Sequence, residues 1–172
     1  MNTLKEPIRT SVPLTAEKGE RSEPVLKLTR ILVPMDFSKT CEKALDYAVP
    51  LAREFGATIT VLHAIEPPPY SMDLTYLPMG EGFPVGSIKK ELEASARKLI
   101  EPELLKEVIV QIGTAFEVIT NVARDLEADL IVITTHGHTG LKHVFMGSTA
   151  ERVVRHAPCP VLVVRRHEHE FV

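Results

Sequence analysis

Five short apolar runs, mostly β-branched and separated by stretches of helical period, constrain this chain more than any other feature. They are Ile31-Leu32-Val33, closed by Pro34, then Thr58 to Ile65, Val108 to Ile112, Asp129 to Thr134 and Val161 to Val164. Apolar runs this short suit strands buried on both faces. Between the first two, Ala44, Leu45, Ala48, Leu51, Ala52 and Phe55 recur at helical spacing, with Ser38 or Thr40 as the opening cap and Gly56 as the closing one. Ile88, Leu92, Ala96 and Leu99 predict a helix from about Val85 to Lys106, bent or ended by Pro102. Ala115, Val118, Ile119, Val122 and Ala123 predict another, ending near Glu127, and a short one runs from Thr149 to His156. Strict strand–helix alternation requires parallel strands joined by right-handed crossovers. The fold class is therefore α/β, an open five-stranded parallel sheet sandwiched by helices in three layers.

At 172 residues the chain is one domain's worth. Residues 1–27 carry no apolar period and read as a disordered or loosely packed extension; 28–166 form the domain and 167–172 a tail. No run approaches the roughly 18 apolar residues of a membrane span. The charged N-terminal stretch lacks the apolar core of a secretory signal. A net charge of −3 without a basic block disfavours nucleic acid. Two cysteines form no disulfide framework, so the expected compartment is cytoplasmic.

In open α/β sheets ligands bind beyond the carboxyl ends of the strands, where strand order reverses. Pro34 to Ser38, His63-Ala64 and Thr134 to Gly140 should meet there. The chain has only 9 glycines, yet Gly137, Gly140 and Gly147 cluster in this region. Gly137 and Gly140 allow backbone amides to face an anion. Gly147-Ser148-Thr149 opens a helix, whose free N–H groups and dipole can seat a phosphate. Ser148-x-x-Glu151 equally reads as a capping box that needs no ligand. Asp36 likewise has two readings, a ligand contact or a cap on the turn after the first strand. A phosphate loop ending in Lys and Ser/Thr is absent, as is a dinucleotide-type glycine run after the first strand. No general base stands out, so no catalytic residue is assigned. The histidines, His136, His138 and His143 among them, lack the ligand spacing of a metal site, and none is assigned.

Val33 to Ser38, Val61 to Ala64 and the segment from Thr135 to Pro160, in this order and spacing, resemble the universal stress protein family over about Thr29 to Arg165. The resemblance implies an adenine nucleotide alpha hydrolase-like fold and a homodimer. It implies ATP, with Mg²⁺ if the nucleotide brings it, held by Pro34, Asp36, Ala64, Thr134, Gly137, His138, Thr139, Gly140, Gly147, Ser148 and Thr149. Thr134 stands where the ATP-binding branch has its first phosphate-loop glycine. His138 stands at a commonly basic position. Pro34 would line the sugar, Asp36 would sit beside adenine and ribose, and backbone around Ala64 would face the base. The expected function is a dimeric, nucleotide-dependent sensor or adaptor in stress response. The alternatives are a dimeric module that has lost the nucleotide, which Thr134 motivates, and a slow ATPase.

The uncharged Val161, Leu162, Val163 and Val164, if they form an edge strand, are a template for pairing with a second copy. A proline-rich window between Glu66 and Phe83 replaces the core period after the second strand, and a flap over the ligand side is expected there.

Overall fold

The computed structural model describes residues 27–67, 83–135 and 146–165. The elements are β1 (Arg30–Pro34), α1 (Lys39–Phe55), β2 (Thr58–Ile65), α2 (Val85–Leu99), β3 (Leu105–Ile112), α3 (Ala115–Asp125), β4 (Leu130–Thr134), α4 (Ser148–His156) and β5 (Val161–Val164). The expected flap falls almost wholly outside the described residues.

All strand pairings are parallel, and the sheet order is β3-β2-β1-β4-β5. The chain steps from β1 outward to β3, then returns past β1 to β4 and β5. Because each crossover is right-handed, reversing the direction of travel moves the connecting helices to the opposite face. Side-chain alternation records the result. Ile31, Val33, Ile59, Val61 and Val132 pack in the layer under α1 and α2. Leu32, Leu62, Ile131 and Ile133 pack in the layer under α3 and α4. Continuous apolar runs are what such two-sided burial demands.

Ser38 rather than Thr40 caps α1, its Oγ accepting the Cys41 N–H at 3.2 Å. Gly56 closes that helix with φ 65°, a conformation open to glycine at no steric cost. The second helix is shorter than its apolar period predicts. It stops at Leu99, and the Leu104 and Leu105 N–H groups turn back to the Glu101 carbonyl. Pro102 cannot continue an α-helical ladder, so the chain turns there and β3 begins three residues earlier than expected. Asp129, read as the start of a strand, works instead as a clasp. Its Oδ2 accepts the Thr29 N–H at 2.8 Å, the Thr29 hydroxyl at 2.7 Å and the Arg30 N–H at 2.9 Å, tying the entry of β1 to that of β4.

Candidate functional site

The crevice at the reversal of strand order has a backbone cause. The β1·β4 ladder registers Ile31 with Leu130 and Leu32 with Ile131, and goes no further. In a parallel strand successive residues turn their backbone groups to opposite neighbours. Met35 donates its N–H to the Leu62 carbonyl of β2 at 2.8 Å, so position 34 faces β4. Pro34 has no N–H to offer, and the ladder ends. Beyond it lies a cavity of about 320 Å³, near the lower end of the size range of small-molecule sites.

The floor and one wall come from the turn after β1. The Asp36 carboxylate accepts the Ser38 N–H at 3.0 Å, so the turn-capping reading of Asp36 holds, and the residue also lines the cavity. Phe37 has φ 63°, a strained value for a bulky side chain. His63 braces this turn twice. Its Nδ1 is 2.8 Å from the Met35 carbonyl oxygen, and its ring meets the edge of Phe37 at 4.8 Å between centroids. Cys41, from the first turn of α1, packs beside Asp36. Burial pushes its thiol up to about 11; a hydrogen bond with the Asp36 backbone pulls the other way, and the Asp36 carboxylate pushes it up again. The thiol is thus a packed neutral group rather than a nucleophile.

The opposite wall is the start of α4. The capping-box reading does not hold. Gly147 is the N-cap, Ser148 is the first helical residue, and no side chain of the described residues caps the helix. The Glu151 carboxylate turns instead along the helix to Arg155 Nη2 at 2.7 Å. Amides at the start of α4 therefore carry the helix's positive end into the cavity with no side-chain cap on them. Gly147 is needed here for proximity, not for its dihedral angles. Its N–H donates to the Thr135 carbonyl at 2.8 Å, and a Cβ at this position would stand 2.7 Å from that same oxygen.

The β2 side of the cavity is formed by Leu62 and Ala64 from β2, by Glu66 just after it, and by Ala115 and Ile119 from α3. The N-cap Thr114 makes no side-chain cap bond, and Glu66 does that work from 49 residues away, its Oε1 accepting the Ala115 N–H at 2.7 Å. The two helix starts facing the cavity thus differ, one plugged by a carboxylate and one not. A larger cavity of about 540 Å³ flanks α1 and is bordered by Lys39, Glu42, Lys43, Tyr47, Leu99 and Arg165. It mixes both signs of charge and lies away from the β1/β4 crevice, so the smaller cavity is the better candidate.

Of the expected ligand residues, Pro34, Asp36, Ala64, Thr134, Gly147, Ser148 and Thr149 all line this one cavity. Gly137, His138, Thr139 and Gly140 lie outside the described residues. Met35, Cys41, His63, Glu66, Ala115 and Ile119 also line it and were not singled out as ligand residues. For His63 the end of a strand was a usable signal; α3 carried none. Among the described residues no group of three or more His, Cys, Asp or Glu converges to hold a metal ion, and no helix is long and apolar enough to cross a membrane.

A family model for the universal stress proteins matches residues 27–165. The chain belongs to the universal stress protein family. A universal stress protein of Methanocaldococcus jannaschii is 32% identical over 148 residues, covering 82% of this chain and 84% of that protein. The solved universal stress protein UspA from Lactobacillus plantarum superposes with a TM-score of 0.66 at 29% identity, covering 81% of this chain and 99% of that one. Two solved family members share the fold at lower identity. One, in complex with cAMP, has a TM-score of 0.58 at 22% identity, over 80% of this chain and 97% of its own. The other, from Archaeoglobus fulgidus and in complex with dAMP, has a TM-score of 0.54 at 20% identity, over 80% of this chain and 98% of its own. Within this family fold, β5 occupies one edge of the sheet and β3 the other. Lys106, Glu107 and Gln111 guard β3 with exposed polar groups, whereas β5 is uncharged throughout.

Proposed function

We propose that this universal stress protein binds an adenine nucleotide, ATP foremost, in the β1/β4 crevice, and that it works as a homodimer whose state reports on the nucleotide. The observation that carries this reading is the start of α4. It opens into the cavity beyond the strand ends with no side-chain cap from the described residues, and helix starts of this kind favour phosphate. The nucleotide complexes of the two remoter family members lend support.

In this reading the phosphates lie against the amides of Gly147, Ser148 and Thr149, with the Ser148 and Thr134 hydroxyls as further donors. The positions Gly137, His138, Thr139 and Gly140 complete the phosphate loop, as the family resemblance implies. Pro34 lines the sugar, and Asp36 sits beside the sugar and the base. The apolar end formed by Leu62, Ala64 and Ile119 receives the base. Mg²⁺ arrives on the phosphates rather than on a protein site. Dimerisation runs through β5: its backbone alternation turns Val161 and Val163 away from β4, toward a second copy. The cytoplasm is the compartment we assign.

Isothermal titration of the purified chain with ATP tests the proposal. Saturable heat with one site per chain is expected, and no heat at millimolar nucleotide refutes it. A second reading, a dimeric module without nucleotide, rests on Thr134, whose buried side chain lines the cavity where the ATP-binding branch has glycine. Adenine nucleotide co-purifying with the protein would exclude that reading.

A further inference from the structure

We infer that Glu66 is a base-selecting residue, which favours a purine bearing an exocyclic amine over one bearing a keto oxygen at the same place. This rests on the nucleotide reading above and assigns a residue within it. The lining residues divide across β1, which lies between β2 and β4 in the sheet. On the β4 side lie Thr134, Thr135 and the start of α4; on the other lie Leu62 and Ala64 of β2 with Ala115 and Ile119 of α3, an apolar surface suited to a flat base. A nucleotide with its phosphates on α4 therefore carries its base toward β2 and α3.

Besides Asp36, whose carboxylate accepts the Ser38 N–H in the turn after β1, two polar side chains of the described residues line the cavity on that side, His63 and Glu66. His63 is committed to the turn after β1 through the Met35 carbonyl and the edge of Phe37. Among the described residues Glu66 is held by one oxygen only, Oε1 on the Ala115 N–H at 2.7 Å, which fixes the carboxylate at the cavity rim. Its second oxygen remains for the ligand. A carboxylate accepts hydrogen bonds and donates none, so it rewards an amine and repels a keto oxygen. It also plugs the start of α3 with negative charge, which keeps the phosphate end of the ligand at α4. The reading differs from simple helix capping, because a cap has no preference among bases.

The test compares ATP with inosine triphosphate, which replaces the amine by a keto oxygen, on the full chain and on Glu66→Gln. Glutamine keeps an oxygen for the Ala115 N–H, so α3 stays capped, and its amide nitrogen can donate to the keto group. The native protein should prefer ATP by about tenfold or more, the scale of one hydrogen bond to a charged group. In Glu66→Gln that preference should collapse to within about threefold, with inosine triphosphate gaining and the melting temperature unchanged. If native protein binds ATP and the ratio is the same in both proteins, the inference is overturned while nucleotide binding stands. If native protein binds neither nucleotide, the binding proposal fails and the inference with it.

Discussion

Replacing Gly147 by alanine should damage the fold before it damages ligand binding, and the size of the effect follows from one contact. A Cβ at this position would stand 2.7 Å from the Thr135 carbonyl oxygen, whereas ordinary contact begins at 3.4 Å, so the two backbones must part by about 0.7 Å. Neither side is a flexible side-chain tip that could swing away. The separation would stretch the Gly147 N–H bond to that same carbonyl, now 2.8 Å, to the limit of hydrogen bonding. Overpacking of this kind costs about 1–3 kcal/mol, and a lost backbone hydrogen bond about 1 more. A total of about 2–4 kcal/mol lowers the melting temperature by roughly 4–16 °C in a chain of this size. Urea denaturation followed by circular dichroism measures it, as a lower midpoint at unchanged slope. Ser148→Ala is the matched control. Its hydroxyl caps nothing, so stability should stay within about 0.5 kcal/mol while ATP affinity falls. A Gly147→Ala protein as stable as the native one would refute the close-approach argument.

Further outcomes follow from other parts of the molecule. With its pKa near 11 against an ordinary 9.0, Cys41 should expose about a hundredfold less thiolate at pH 8 than a free thiol. Mass-mapped alkylation with iodoacetamide at the rate of glutathione would contradict that. Asp129→Ala removes the clasp on Thr29 and Arg30 and should cost about 1–2 kcal/mol near neutral pH, solvent screening included. Hydrogen bonds from Thr29 hold the Asp129 carboxyl below its usual value, so its contribution is complete above the ordinary carboxylate pKa and fades as pH falls through the lowered one. Native and variant stabilities should accordingly converge in acid, and a gap that persists there would count against the clasp. Val163→Pro removes an outward N–H from β5 without breaking the β4 ladder. Light scattering should then show the mass falling from about twice 19.1 kDa to one chain, and an unchanged dimer would exclude β5 as the interface.

The elements could be read from the chain because their signals are local. Apolar runs and helical spacings, the Ser38 cap and the glycine at 56 each lie within a few residues of what they determine, and parallel pairing follows from the strand–helix alternation, whereas the strand order came only from the structure. Pro34, Asp36, Ala64 and Gly147 could be placed at one site for the same reason, since each sits at a strand or helix end. Ser148-x-x-Glu151 shows the limit of local signals. The motif was present, but Gly147, drawn against Thr135, became the cap and moved the serine into the first turn. The helix past Leu99 shows it again, for the apolar period continued where the backbone could not.

What tertiary structure alone decided are the contacts between residues far apart in the chain. The chain dictated its strands, its helices and the end of the sheet at which a ligand would sit. It carried no mark that Glu66 would cap α3 across 49 residues, that Asp129 would clasp Thr29 across 100, or that His63 would brace the turn at Phe37. Each depends on where two segments lie once the sheet has twisted and the helices have chosen their faces. A hydrogen-bonding side chain in a loop is compatible with many partners, and packing selects one.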